Sequence, residues 1–178
     1  MRAQFDRLAP SWEGRAGPEA LAALGAALER LERPPRRVLD LGTGTGKAAR
    51  LAARLFAGAQ VEATDLSPAM VEEARRLIPP ELAERIHLSV ADATALPFAD
   101  GAFDLVVLLN MIPFFDELGR VTANDGTVVI SFSWGSGTPI YVPSDTLRQR
   151  LGSVGFSRFE EIAAGEGTAL LATREAPT

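Results

Sequence analysis

The residues best suited to chemistry are acids and glycines grouped around short turns. Asp40-Leu41-Gly42-Thr43-Gly44-Thr45-Gly46 sets three alternating glycines two residues after a carboxylate. Missing Cβ atoms let a ligand lie against such a backbone, and a helix opening at Lys47 would turn free amides toward it. Asp65 and Asp92 follow the next two apolar runs. His87 is the single histidine and there is no cysteine, so disulfides, thiolate-metal sites and a cysteine nucleophile are excluded, and no metal site is expected. His87 lies five residues before Asp92, about 16 Å along an extended strand, so it is expected near the wrong end of the sheet for catalysis.

Two nucleotide motifs fail on this turn. A P-loop ending at Gly46-Lys47 needs glycine at Leu41 and Ser or Thr at Ala48. The dinucleotide pattern needs glycine at Lys47 or Ala49.

The elements that must position these residues are legible from spacing. Pro18 opens a helix with Leu21, Leu24, Leu28 and Leu31 on one face, stopped by Pro34-Pro35. Residues 38–41, 61–64, 86–90, 105–109, 127–133, 156–162 and 168–172 read as strands. Helices are expected over 47–56, 68–78 with Ser67-Pro68 as its cap, 114–121, and 144–154 capped by Ser144. Residues 163–167 read as a hairpin link. Strands alternating with helices predict one α/β, doubly wound domain whose last strand pair is a hairpin, with one strand antiparallel. In such sheets ligands bind beyond the carboxyl ends of the strands. Asp104 precedes its strand and is expected to be structural, at the far end.

Composition narrows the class. The chain has 178 residues, 47% apolar and 23% charged, with a formal net charge of −5. One globular domain over 1–178 fits, with an irregular segment over 1–17. The acidic balance argues against unaided nucleic-acid binding. No apolar run approaches the ~20 residues of a membrane span, and the first residues carry no apolar signal core, so a cytoplasmic location is expected.

Taken together, the acid and its glycine turn resemble motif I of class I S-adenosylmethionine-dependent methyltransferases, and further positions match in order. The resemblance implies a Rossmann-like sheet of seven strands and S-adenosylmethionine as cofactor. It implies that Asp40, Gly42, Thr43, Gly44 and Gly46 belong to the cofactor site. Asp65 would bind both ribose hydroxyls, and Leu66 and Met70 would lie against adenine. The Asp92 carboxylate would accept from the adenine amine and the Ala93 amide would donate to the ring, while Asn110 would contact the methionine part. Phe103-Asp104-Leu105 is similar to the entry of the fourth strand, and Asn124-Asp125-Gly126-Thr127 to the turn before the fifth. Phe5-Asp6, Ala9 and Trp12-Glu13 resemble the N-terminal segment of ubiquinone-type methyltransferases, so a small-molecule acceptor is implied.

Asp40 has an alternative role, capping the turn through backbone amides. No catalytic residue is assigned; Asp116, Glu117, Tyr141 and Glu13 are candidate bases. The links 110–126 and 134–143 are short for the family, so Phe5, Trp12 and Trp134, or a second chain, are candidates to cover the site; Phe5 and Trp12 as plain docking residues of the terminus are the equal alternative. Monomer and homodimer both remain open. A cofactor-binding regulatory or partner module without transfer activity is the alternative function.

Overall fold

A computed structural model describes residues 17–175. Seven strands alternate with helices: β1 (Arg37–Leu41), β2 (Gln60–Asp65), β3 (Ile86–Val90), β4 (Phe103–Leu109), β5 (Thr122–Phe132), β6 (Arg158–Ala164) and β7 (Gly167–Thr173). The α-helices are α1 (Ala22–Leu28), α2 (Lys47–Leu55), α3 (Pro68–Leu77), α4 (Phe115–Val121) and α5 (Ser144–Ser153). The strands form one sheet in the order β3-β2-β1-β4-β5-β7-β6. All neighbours are parallel except β7, which runs antiparallel to both β5 and β6. This is the doubly wound sheet with a closing hairpin expected from the alternation of patterns.

The core lies on both faces of the sheet. Leu105 and Val107 of β4 join one cluster with Leu24 and Leu28 of α1 and Ala49 and Ala52 of α2. Val106 and Leu108 join the other, with Leu118 of α4 and Leu147 and Leu151 of α5. A strand covered on both faces needs a continuous apolar run, and β4 is one. Strand order reverses between β1 and β4, which opens the crevice beyond their carboxyl ends.

Four expectations need correction. The helix at Pro18 begins as a 3-10 turn, Pro18–Leu21, and becomes α-helical only at Ala22. Ser144 does not cap α5; Pro143 holds that position without a side-chain bond, and the Ser144 hydroxyl bonds Glu161 instead. The β6–β7 link is a two-residue turn at Gly165 and Glu166, because Ala164 already pairs with Gly167. The expected turn at Asn124-Asp125-Gly126 lies inside β5 as a large bulge. There Thr122 pairs with Phe103 and Thr127 with Leu105, so five residues of β5 advance against two of β4. Asp125 takes a positive φ of 61° to close it.

Candidate cofactor site

The glycine turn is held from both sides. Gly42 and Thr43 donate their amides to the Thr64 carbonyl at 2.9 and 2.8 Å, pinning the turn to the end of β2. Gly42, Gly44 and Gly46 take positive φ values of 73°, 54° and 84°. An L side chain is strained there, which explains glycine at all three positions. Gly46 also caps α2, and an added Cβ would stand 3.4 Å from the Ala74 Cβ of α3.

Asp40 sits under this turn with 1% of its surface exposed. Its Oδ2 accepts from Thr43 Oγ1 at 2.6 Å and from the Ala49 amide at 2.9 Å. The capping role considered for it is therefore present, but it occupies one oxygen only. Oδ1 is buried without a partner, as is Thr64 Oγ1 on the neighbouring strand. Burial pushes the Asp40 carboxyl up to about 6, against the bonds from Thr43 and Ala49 that pull it down; Asp65 raises it further and Arg50 lowers it. A buried acceptor with no donor calls for a bound donor, since leaving it unmet costs roughly 1–3 kcal/mol.

Asp65 ties the same turn to the next helix. Its Oδ2 accepts from the Gly44 amide and its Oδ1 from the Ser67 amide, both at 2.9 Å. Ser67 Oγ in turn accepts from the Met70 amide at 3.2 Å, which caps α3 as expected.

The other assigned residues divide. Asp92 is exposed, and its Oδ1 takes both the amide and the hydroxyl of Thr94, at 2.9 and 2.7 Å. Those bonds hold its carboxyl below the usual range. Ala93 is buried. Met70 is 1% exposed, so its side chain packs under α3 and offers an adenine ring no surface. Asn110 follows β4 in the left-handed region at φ 52°. Its side chain is held by Ser133, receiving the Ser133 amide on Oδ1 at 2.9 Å and donating from Nδ2 to Ser133 Oγ at 2.8 Å.

Of five large apolar side chains left exposed among the described residues, Leu55 ends α2 and the other four lie at the same rim. Leu66, Val90, Ile112 and Trp134 are 43%, 50%, 42% and 42% exposed. They lie at or just beyond the carboxyl ends of β2, β3, β4 and β5 respectively. The family resemblance singled out Leu66, the short link after β5 singled out Trp134, and Val90 and Ile112 were missed, because apolar strand ends look alike until the sheet order is known. The face of Gly42 that lacks a side chain is covered by Met111: an added Cβ would stand 2.6 Å from its Sδ.

Glu117 is removed as a candidate base. Its carboxylate accepts from the Leu96 amide and from Arg120 Nε and Nη2, each at 2.7 Å. The Arg120 hydrogen bonds hold its proton affinity low. Arg120 also donates to the Phe98 and Leu96 carbonyls, so the pair clamps the segment after Asp92 onto α4. Asp116 is exposed on α4, Tyr141 packs edge-on against Phe132 at 5.1 Å, and Glu13 lies outside the described residues with Phe5 and Trp12.

The far end of the sheet is structural, as expected. Asp104 accepts the Arg36 and Arg37 amides at 2.8 and 2.9 Å. His87 is exposed and lies 3.3 Å from the Gln60 side chain at the start of β2. An open cleft of about 460 Å³ at this end is lined by Asp100, Arg120, Asn124 and Arg174 among others. Arg174 donates there to the Thr122 and Val154 carbonyls, so both arginines serve the chain itself. Among the described residues no group of three or more His, Cys, Asp or Glu could hold a metal.

A doubly wound sheet with an acid-backed glycine turn at the switch point and an acid ending β2 is the arrangement in which such sheets bind nucleotide-type cofactors. The family model described as a methyltransferase domain matches residues 38–126, half of the chain. This chain belongs to that family, whose class I members use S-adenosylmethionine. It is 42% identical to a malonyl-[acyl-carrier protein] O-methyltransferase of Halorhodospira halophila over 58% of this chain and 38% of that one. It is 40% identical to a demethylmenaquinone methyltransferase of Thermus thermophilus over 56% and 48% of the two chains. The chain thus spans less than half the length of either relative. A chain in a solved complex between the Haloferax volcanii Trm112 methyltransferase activator and a methyltransferase shares the fold, with a TM-score of 0.78, 20% identity, and 99% and 98% of the chains covered.

The residues present fit the cofactor. The unmet Asp40 oxygen, the glycines of the turn, which lack Cβ atoms, and the exposed apolar rim offer an acceptor, a close approach to the backbone and an apolar wall. No described helix is long and apolar enough to cross a membrane.

Proposed function

We propose that the chain transfers the methyl group of S-adenosylmethionine to a small-molecule acceptor bound beyond the ends of β4 and β5. The observation that carries this is the meeting, at one end of the sheet, of the acid-backed glycine turn with the exposed Leu66, Val90, Ile112 and Trp134. Bound there, the cofactor supplies an electrophilic methyl group on a sulfonium. Asp65 holds the ribose hydroxyls, Leu66 packs on adenine, and Asp92 and Ala93 read its edge. The turn from Gly42 to Gly46, with Asp40 beneath and Asn110 opposite, receives the methionine part.

These side chains orient and desolvate; they need not move a proton. Holding an acceptor in line with the methyl carbon supplies roughly 7–11 kcal/mol of a barrier. A base adds roughly 10²–10⁴-fold only when the acceptor arrives protonated. With Glu117 committed to Arg120, that role falls to Asp116, Tyr141 or Glu13, and no catalytic residue is assigned.

Residues 1–178 form one methyltransferase domain in this reading, with 1–17 as a cap on the core that begins at 18. A cytoplasmic monomer or homodimer without nucleic-acid affinity of its own fits the acidic balance. Calorimetry with S-adenosylmethionine, S-adenosylhomocysteine and NAD tests the cofactor; only the first two should bind. Product formation across a panel of small-molecule acceptors tests transfer. Binding without turnover on any acceptor would make the chain a cofactor-binding regulatory or partner module, a reading favoured by Met111 lying across Gly42.

A further inference from the structure

Ser133 stands just beyond β5 with 2% of its surface exposed, and its amide and hydroxyl bond to two distant segments. Its amide and hydroxyl meet both ends of the Asn110 amide group, at 2.9 and 2.8 Å. Its Oγ also donates to the Ala20 carbonyl at 2.9 Å, across 113 positions of sequence. Ala20 is itself buried, in the 3-10 turn through which the chain enters α1.

The Asn110 bond has a second consequence. A left-handed backbone is costly for any side chain, and asparagine tolerates it where its amide group is bonded locally. Fixing Asn110 at φ 52° sets the direction of the next residue, Met111, whose Sδ rests on the open face of Gly42. A connected path of contacts, buried at Ala20 and Ser133 and half-buried at Asn110 and Met111, therefore runs from the α1 entry to the glycine turn.

We infer that Ser133 is a positioning residue that couples the entry of α1 to the cofactor site. This rests on the cofactor reading above. Because such coupling is reciprocal, cofactor binding must steady the α1 entry as much as the α1 entry strengthens binding.

The test uses the full chain, with S-adenosylhomocysteine as the probe. In the wild type, the probe slows amide hydrogen exchange over residues 17–24. Ser133→Ala weakens probe binding at least fivefold by calorimetry and abolishes that slowing. Thr127→Val, which removes the buried 3.1 Å bond to Thr173 at the other end of β5, leaves both readouts unchanged and controls for general loss of stability. If Ser133→Ala does not fold, Ser133→Cys keeps the volume, weakens the hydrogen bonds and is read the same way. Binding within twofold of wild type, undiminished slowing at 17–24, or an equal loss in Thr127→Val overturns the coupling. A wild type that binds no probe sinks the cofactor reading itself, and the coupling with it.

Discussion

At the scale of single residues, two carboxylates carry opposite signatures. Asp65 is partly open, and its two carboxylate oxygens accept from the Gly44 and Ser67 amides. Asp65→Ala should cut S-adenosylmethionine affinity at least tenfold, since charge-assisted bonds to hydroxyls are worth ~1.5–3 kcal/mol each. Unchanged affinity in a folded variant would take Asp65 out of the site. Asp40 instead is buried, and its folded value of about 6 stands above the ordinary 3.8. A raised carboxyl binds its proton more tightly in the folded state. Its contribution to stability is full below pH 3.8 and is lost as pH rises through about 6. At 1.36 kcal/mol per unit the loss is up to ~3 kcal/mol. Asp40→Asn, which cannot ionise, should therefore gain stability relative to wild type between pH 4 and 7, as measured by urea unfolding. A constant difference across that range would show that Asp40 ionises freely.

At the scale of elements, the α3 cap offers the plainest measurement. Ser67→Ala removes the acceptor for the Met70 amide and should cost about 1 kcal/mol in urea unfolding. Its own amide still reaches Asp65, so cofactor affinity should hold within threefold. Ser67-Pro68 was legible because the cap and its helix are neighbours in sequence. The glycine turn and Asp65 were legible for the same reason: each lies within a residue or two of a strand end that apolar runs reveal. Ser144 misled because its hydroxyl had a better partner, Glu161, on a strand whose place in the sheet spacing does not reveal. The bulge in β5 misled because Asp125-Gly126 reads as a turn, and only the pairing with β4 shows the strand continuing on both sides. Met70 was placed against adenine by the family resemblance alone, and helix packing buries it. Ser133, Met111 and Arg120 were illegible, since their roles depend on partners 20 or more positions away.

At the scale of the whole molecule, the candidate site lies at one end of the sheet and a second set of ties holds the strands at the other. The Asp104 bonds and the Arg174 bonds close the amino ends of β1, β4 and β5. The described core is contributed by residues 20 to 172. Deleting residues 1–16 should therefore leave a folded domain with an unchanged circular dichroism spectrum. It should weaken cofactor binding and abolish transfer, because Phe5 and Trp12 are assigned to the cap. Normal turnover by the deletion variant would move the cover elsewhere, with a dimer interface near Met111 to Phe115 the next place to look. Failure to fold would make those aromatics core residues.

The hairpin has a consequence for how the molecule is made. β7 lies between β5 and β6, so the second edge of β5 is paired only by residues 168–173. A nascent chain on the ribosome carries β5 well before those residues emerge. Val128, Val129 and Ile130, fully buried in the finished sheet, then border an unpaired backbone edge. Such an edge templates pairing with other chains. The two-residue turn at Gly165 shortens that exposure, because β6 and β7 can zip together locally and dock on β5 as one unit.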